Sequence, residues 1–255
     1  MHKLQERSAT MKILLFNCSI KKKASRSLKI ANSFIEGLNQ NINIREEIQV
    51  NEITLYDKNI NDCRCCYYCW CEEASGKCIQ KDDMRDLLKE YIDSDLVIWS
   101  FPLLFFSFPA AMKKFIERTF PLYTWQKHRE GDYYIQSSRY PKLLNRREVF
   151  ISTCGYPHRT NNYEPVDETL RILFGDKADR IFCTQGTLFD EERFEKIVKR
   201  YLEAAKNAGK NYSLKDGITK KDNDRLSQQF LIEELYYEES KRNNKWLIRK
   251  DYLNF

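Results

Sequence analysis

Glycine is scarce in this chain, with 8 glycines among 255 residues, and none of them lies in the turn Ser19–Ser25 that follows the first apolar run. A Rossmann dinucleotide fingerprint and a Walker phosphate loop both need several closely spaced glycines at that place. The scarcity therefore disfavours an adenine dinucleotide held in the Rossmann manner. Hydrophobic residues make up 42% of the chain and aromatic residues 13%, so a core can be buried.

The chain also lacks a long hydrophobic run. Its longest charge-free stretch, Leu96 to Met112, is shorter than the roughly 18–20 residues that cross a bilayer, and two prolines interrupt it. The start, Met1 to Thr10, is polar and charged, without the apolar region of an export signal. We therefore expect a cytoplasmic protein with no membrane partner. The basic residues are scattered among acidic ones and the net charge is only +6, so no nucleic-acid partner is expected.

Cysteine, in contrast, is abundant. Nine cysteines occur in the chain, and in a reducing cytoplasm clustered thiols indicate metal or redox chemistry before disulfides. Six of the nine fall within one short stretch: Cys63, Cys65, Cys66, Cys69, Cys71 and Cys78.

Short apolar runs alternate with segments of helical periodicity along the chain. Runs of this kind are typical of strands buried on both faces, and their alternation with helices indicates a parallel sheet with right-handed crossovers. Five strands fit an α/β fold, a three-layer flavodoxin-like parallel sheet of order 2-1-3-4-5. The predicted strands begin near Lys12, Ile44, Leu96, Glu148 and Arg180. The predicted helices begin near Arg26, Asp82 or Asp83, Pro109, Val166 and Glu191, and the last is expected to stop at Gly209.

Two segments, residues 121–147 and 211–255, lie outside this alternation of strands and helices. Residues 11–210 are predicted to form one flavodoxin-like domain, which includes a cysteine-rich loop at 63–78 and a lid-like insertion at 121–147. A connection that long is expected to have a function of its own, as a lid or a substrate-pocket loop. Residues 211–255 are predicted to form a C-terminal helical extension with one helix, about Asn223 to Ser240.

Ligands of an open parallel sheet bind outside the carboxyl ends of its strands, near the switch point between the first and third strands. The loop Ser19–Ser27 leaves the first strand and enters the first helix. Hydroxyls, helix N-terminal amides and cations suit a phosphate, although an ordinary capped helix with solvated lysines explains the loop equally well.

Two further loops meet at the same edge. The apolar and aromatic run Ser100–Pro109 could line a flat ring, or could be an ordinary buried loop. The loop Thr153–His158 contains small residues that permit close backbone approach. His158 within it is either a proton donor or simply solvated.

The three loops and the cysteines together carry a resemblance. The first loop resembles the phosphate loop of flavodoxin-like NAD(P)H-dependent FMN reductases. Cys63-x-x-Cys66-x-x-Cys69-Trp70, continuing to Asp82-Asp83-Met84, is similar to the cysteine-rich, iron–sulfur flavoprotein-like branch of that family. Pro102–Phe105 and Met112–Arg118 are similar to the family's Pro-Val-Tyr…Lys-x-Phe-Ile-Asp-Arg motif. The matches run in the family's order over about residues 12–120, with weaker similarity to about residue 210.

The resemblance implies FMN as cofactor and NAD(P)H as co-substrate. It assigns the phosphate to Ser19, Lys21, Ser25, Arg26 and Ser27. It assigns the isoalloxazine ring to Pro102, Leu103, Leu104, Phe105, Phe106, Thr153, Cys154 and Gly155. The sequence departs from the family pattern at Ile20, Arg26 and Leu104, where the family often has Pro, Asn and Tyr. The resemblance also implies a homodimer or higher homo-oligomer.

Three interpretations of the cysteine cluster stay open. Cys63, Cys66, Cys69 and Cys78 have the spacing for a [4Fe–4S] cluster, although the last interval is longer than in the compact iron–sulfur flavoprotein motif. The same four thiolates could form a closed zinc site. Alternatively the loop consists of reduced cysteines that pack as small hydrophobes. None of the three interpretations requires Cys65 or Cys71.

The function predicted from the sequence is an FMN-dependent oxidoreductase. It would transfer hydride from NAD(P)H through the flavin to a small-molecule acceptor, with no side chain required as an acid or base. One alternative is an iron–sulfur flavoprotein electron carrier that accepts electrons from ferredoxin. Another is a non-catalytic flavin- or metal-binding sensor.

Overall fold

A computed structural model of the chain describes residues 10–44 and 46–242. Five parallel strands form one sheet in the order β2-β1-β3-β6-β7, which confirms the predicted fold class and the 2-1-3-4-5 order. The strands of this sheet are β1 (Thr10–Asn17), β2 (Glu47–Thr54), β3 (Leu96–Pro102), β6 (Glu148–Thr153) and β7 (Ala178–Cys183). Within the described ranges, no helix is both long and apolar enough to cross a bilayer.

Helices cover both faces of the sheet, because the central strands are apolar on both sides. Phe16, Trp99 and Phe150 face a core shared with α2, α3 and α5, while Ile13 and Ile98 face a second core shared with α1 and α6. The helices are α1 (Arg26–Leu38), α2 (Met84–Asp93), α3 (Ala110–Glu117), α4 (Pro141–Asn145), α5 (Glu164–Phe174), α6 (Glu195–Lys210), α7 (Lys220–Leu226) and α8 (Glu233–Arg242).

Two glycines set the contact between α1 and α6. A Cβ at Gly37 would lie 1.8 Å from the Lys206 carbonyl oxygen, and a Cβ at Gly209 would lie 1.9 Å from the Phe34 carbonyl oxygen. The prediction that Gly209 stops the last helix of the domain is wrong, because α6 continues to Lys210. Gly209 is needed instead for the close approach of two helix backbones.

The insertion at 121–147 is largely ordered secondary structure. Its strands β4 (Tyr123–Glu130) and β5 (Tyr133–Ser138) form an antiparallel hairpin, which α4 follows. Arg139 fastens the base of the hairpin: its amide donates to the Leu122 carbonyl at 2.8 Å, and its Nε donates to the Tyr123 carbonyl at 3.1 Å. The hairpin base therefore lies beside the cysteine-rich loop, whose Cys69 carbonyl accepts from the same guanidinium.

The C-terminal extension contains two helices where the sequence predicted one at about Asn223 to Ser240, so that prediction is wrong. The helix breaks between α7 and α8 because Gln185 takes the backbone groups there. Its Oε1 accepts from the amides of Phe230 and Leu231, and its Nε2 donates to the Leu231 carbonyl. The Phe230 ring packs against Phe189 and Tyr201. Residues 243–255 of the predicted extension lie outside the described residues.

Candidate functional site

Three loops converge where β1, β3 and β6 end, because the carboxyl ends of parallel strands lie at one edge of the sheet. The Cys18 amide donates to the Ser100 carbonyl at 2.8 Å, and the Leu103 amide donates to the Thr153 carbonyl at 2.9 Å. These bonds continue the sheet past its strands. They bring together the loops that the sequence assigned to the phosphate and to the ring.

A network of buried serine hydroxyls fixes the first loop. Ser25 is the N-cap of α1 and accepts from the Leu28 amide at 3.4 Å. The Ser25 and Ser27 hydroxyls lie 3.0 Å apart, and Ser100 on β3 donates to Ser27 at 2.9 Å. Ser19 also is buried, and its Oγ accepts from the Lys21 amide. The structure thus places Ser25 and Ser27 at one helix N-terminus and ties them to β3 through Ser100, whereas Ser19 lies earlier in the same loop.

The same helix end offers hydrogen-bond donors without partners. Within the described residues, no hydrogen bond is formed by the backbone amides of Arg26 and Ser27, which belong to the first turn of α1. The Nδ2 of Asn17, a fully buried side chain at the end of β1, has no partner either. Unpartnered amides at a helix N-terminus suit a phosphate, whose oxygens only accept. The residues present therefore fit the phosphate of FMN.

Two cationic side chains of the first loop form ion pairs within the protein. Arg26 donates from Nη2 and Nε to Asp190, at 2.6 and 3.2 Å, which fastens α1 to the loop after β7. Lys22 pairs with Asp57 at 2.6 Å. The implied contact of Arg26 with phosphate would thus come from its backbone amide in this arrangement, because its guanidinium is occupied by Asp190.

The second loop ends in a tight turn with unusual backbone angles. Leu104 and Ser107 exchange both backbone hydrogen bonds, at 3.2 and 3.0 Å. The two residues between them, Phe105 and Phe106, have φ values of +46° and +62°. Bulky residues rarely adopt such angles, which cost about 1–3 kcal/mol each, and they cluster at functional sites. Phe105 is 99% exposed, so the turn presents an aromatic ring to solvent at the edge of the site.

The third loop is held by its carbonyl oxygens. The Cys154 carbonyl accepts from the Gly186 amide at 2.7 Å, and the Tyr156 carbonyl accepts from the Gln185 amide at 2.8 Å. The Tyr156 ring stacks on Phe106 with centroids 6.1 Å apart, which links this loop to the second. No hydrogen bond of the Gly155 and Tyr156 amides is found within the described residues. These two donors suit the polar edge of a flat ring.

The C-terminal extension contributes to this site, which the sequence did not predict. Tyr236 on α8 donates to the Gly155 carbonyl at 2.5 Å and lies 2.8 Å from the Thr187 hydroxyl. His158 is bonded rather than simply solvated: its Nδ1 lies 2.6 Å from Gln229 Nε2, and its Nε2 lies 2.8 Å from Glu233. No sequence signal identified these contacts, because the partners are 49 or more residues apart.

The cysteine-rich loop surrounds a small cavity of about 20 Å³. Cys69 is buried, whereas Cys65, Cys66 and Cys71 are exposed. Burial, and then the nearby Cys78, raise the pKa of Cys69 to about 11. The cavity is lined by Cys63, Cys65, Cys66, Cys69 and Cys78, together with Arg118 and Phe120.

The four predicted ligands, Cys63, Cys66, Cys69 and Cys78, thus line one cavity. Among the residues that the structure describes, no group of three or more cysteine, histidine or acidic side chains is arranged to hold a metal ion. The donor chemistry suits iron or zinc, whereas the free volume is that of about one water molecule. In this conformation the loop does not fit a cluster.

An ion pair clips the two ends of the cysteine-rich loop together. The side chains of Arg118 and Asp82 are each 1% exposed, and Arg118 Nη1 donates to Asp82 at 2.6 Å and to the Asn61 carbonyl at 2.7 Å. Asp82 accepts in turn from the Asn61 amide, and Arg118 Nη2 lies 3.5 Å from Cys78 Sγ. Burial opposes ionisation of Asp82, but the hydrogen bonds from Arg118 and the Asn61 amide outweigh it and lower its pKa to about 2. The sequence indicated Asp82 only as a possible start of a helix and as part of the motif Asp82-Asp83-Met84, and did not indicate its pairing with Arg118.

Comparison with known proteins identifies the family. A family profile described as "Flavodoxin-like fold" (Flavodoxin_2) matches residues 11–208. The chain therefore belongs to this flavodoxin-like family, which confirms the flavodoxin-like resemblance seen in the sequence.

Individual relatives share the fold or part of the sequence. The chain is similar to an iron–sulfur flavoprotein of Archaeoglobus fulgidus, with 37% identity over 73 residues. The match covers 29% of this chain and about a third (32%) of the length of that curated relative. The fold is similar to that of an FMN-dependent NADH-azoreductase from Bacillus anthracis in complex with FMN (TM-score 0.55, 15% identity, 77% of this chain and 97% of the other). It is also similar to an NAD(P)H:quinone oxidoreductase from Methanothermobacter marburgensis (TM-score 0.54, 16% identity, 80% and 98%).

Proposed function

We propose that this chain binds FMN across the three strand-end loops and transfers hydride from NAD(P)H to a small-molecule acceptor. The observation that carries the proposal is the pair of unpartnered amides, those of Arg26 and Ser27, in the first turn of α1, where buried serine hydroxyls fix the loop. The bound flavin would supply hydride acceptance and donation. The homo-oligomeric state that the resemblance implies stays a prediction.

The residues of the first loop would bind and orient the phosphate. The amides of Arg26 and Ser27 would donate to its oxygens, and the buried serine hydroxyls would keep these donors in position. Lys23, which is exposed in the same loop, would add a positive charge. A helix N-terminus favours a dianion for the same electrostatic reason.

The second and third loops would receive the ring. Pro102 ends β3 and Leu103 follows it, and the Gly155 and Tyr156 amides would donate to the polar edge of the ring. The exposed Phe105–Phe106 turn would limit the access of water and offer a stacking surface to an aromatic acceptor. No acidic or basic side chain is needed for hydride transfer itself.

The proposal is tested by titrating purified chain with FMN and following the quenching of flavin fluorescence. Ser27→Ala should weaken FMN binding about tenfold, because one hydrogen bond near a charged group contributes about 1.5–3 kcal/mol. Ser33→Ala, the same change further along α1, is the matched control and should leave binding unchanged. Failure of the wild-type chain to bind FMN would overturn the proposal. Loaded protein should also be bleached anaerobically by NADH or NADPH.

A second function is favoured by the cysteine-rich loop, in which four spaced cysteines line one cavity, and by the partial match to an iron–sulfur flavoprotein. We propose as the alternative an electron carrier, with ferredoxin as donor, in which the loop opens to accept a cluster at Cys63, Cys66, Cys69 and Cys78. Anaerobic purification with iron, zinc and flavin assays decides between the two. About four iron atoms per chain would support the carrier, whereas flavin without iron or zinc would contradict it.

A further inference from the structure

A cavity of about 320 Å³ lies behind the cysteine-rich loop, away from the three strand-end loops. One wall is α2, the second is the end of the loop at 76–80, and the third is the start of the insertion at Pro121 and Leu122 together with Tyr140. Its volume is within the range of small-molecule sites and has room for about ten water-sized groups. The function proposed above does not use this cavity.

The inside of the cavity is mainly apolar. Met84, Leu88 and Ile92 recur at i, i+4 and i+8 on one face of α2 and line it together. Leu122 and the Tyr140 ring line the opposite side. The insertion therefore completes a pocket that the flavodoxin-like core alone would leave as an open helix face.

The rim of the cavity is cationic. Lys77, Arg85 and Lys89 line it, all three are exposed, and none forms an ion pair within the described residues. The carboxylate of Asp93 lines it as well, so three free cations face one acidic group. The remaining lining cation, Arg118, is neutralised by Asp82.

Arg85 lies where a positive charge is electrostatically unfavourable. It belongs to the first turn of α2, where the helix dipole disfavours a positive charge. Lys89 lies one turn further on the same side, which adds like-charge repulsion at i, i+4. An anion at the rim would relieve both effects.

We propose that this cavity binds a small amphipathic carboxylate, with the apolar body along Met84, Leu88 and Ile92 and the carboxylate between Lys77, Arg85 and Lys89. The apolar lining selects a hydrocarbon body, and the unpaired cations select a negatively charged head. The ligand would contact the cysteine-rich loop through Lys77 and Cys78, which line the same wall.

Decanoate, kept below its micelle concentration, is the probe, and calorimetric titration of the full chain is the measurement. The expected result is saturable binding of one decanoate per chain, with decanol bound at least tenfold more weakly. The double variant Arg85→Gln/Lys89→Gln should weaken decanoate binding at least tenfold. The matched control is Lys196→Gln/Arg200→Gln, an exposed i, i+4 pair on α6 that also lacks ion pairs within the described residues, and it should bind as the wild type does.

Three outcomes would overturn the proposal: the absence of saturable binding, equal affinity for decanol and decanoate, or an equal loss in both double variants. Lys77→Gln tests the opposite wall and should weaken binding on its own. The three cations are exposed, so the variants should fold, and circular dichroism checks this. FMN titration of the same variants should be unchanged, which separates this site from the one at the strand ends.

Discussion

The hydroxyl of Tyr236 connects the end of the described chain to the centre of the candidate site. It holds the Gly155 carbonyl in a loop whose Gly155 and Tyr156 amides form no hydrogen bond within the described residues. A preorganised loop binds its ligand without a further ordering cost. Tyr236 is therefore a positioning residue and not a reactive one, and burial raises the pKa of its hydroxyl, which keeps it a donor at neutral pH.

Tyr236→Phe should raise the FMN dissociation constant about fivefold, which corresponds to about 1 kcal/mol for one neutral hydrogen bond. Flavin fluorescence quenching measures it. The neighbouring Tyr237 is exposed on the same helix, so Tyr237→Phe controls for the loss of a hydroxyl. Equal effects of the two substitutions would show that the Gly155 contact does not matter for the cofactor.

Residue-scale reasoning from the sequence found the serines and the cysteines because their spacing is local. Ser25 could be recognised as a helix-capping residue from its position before an amphipathic segment, and Ser27 lies two residues further on. The ion pairs of Arg26 with Asp190 and of Arg118 with Asp82 could not, because their partners are 164 and 36 residues away. Whether a basic side chain faces a ligand or an acid is decided by tertiary packing.

At the scale of elements, α1 and α6 pack so closely at two glycines that the effect of a substitution there can be predicted. A methyl group at either Gly37 or Gly209 would overlap a backbone carbonyl of the partner helix, which cannot move as a side-chain tip can. Gly209→Ala should therefore lower the free energy of unfolding by about 3 kcal/mol, at the upper end of the usual overpacking cost.

Chemical denaturation measures that loss. Asn32→Ala, on the exposed side of α1, is the control and should change the stability by no more than about 0.5 kcal/mol. If Gly209→Ala unfolds at the same denaturant concentration as the wild type, the two helices are not packed backbone to backbone.

The strands and helices of the sheet could be predicted because hydrophobic periodicity is a local signal. The boundaries that were wrong have tertiary causes. Gly209 resembles a helix terminator in sequence, but it stays helical where α1 approaches it. The sequence predicts that the residues between α7 and α8 are helical, but Gln185 on another loop forms hydrogen bonds with their backbone groups.

At the scale of the whole molecule, the Asp82–Arg118 pair makes stability depend on pH. The folded-state pKa of Asp82 is lowered to about 2, below the ordinary value of about 3.9. A lowered carboxyl pKa contributes stability that is fully present above the unfolded-state pKa and is lost as the pH falls through the folded-state pKa. Between about pH 5 and pH 2 the free energy of unfolding should thus fall by about 2 kcal/mol from this group alone.

Asp82→Asn should remove that part of the acid dependence. It should also destabilise the protein at neutral pH by about 3 kcal/mol, because Arg118 stays buried without its partner. Denaturation curves at several pH values measure both effects. Asp86→Asn, an exposed carboxylate in the first turn of α2, is the control. If the two variants show the same acid profile as the wild type, Asp82 does not carry the dependence.

The bonds from the C-terminal extension to the strand-end loops have a consequence for synthesis of the protein. The sheet ends at Cys183, whereas Gln229, Glu233 and Tyr236, which fasten the loops after β6 and β7, are added to the growing chain later. A product of interrupted translation would therefore contain the sheet but would lack the hydrogen bonds that hold the loops after β6 and β7. Retention of the cofactor would distinguish finished chains from unfinished ones before either is degraded.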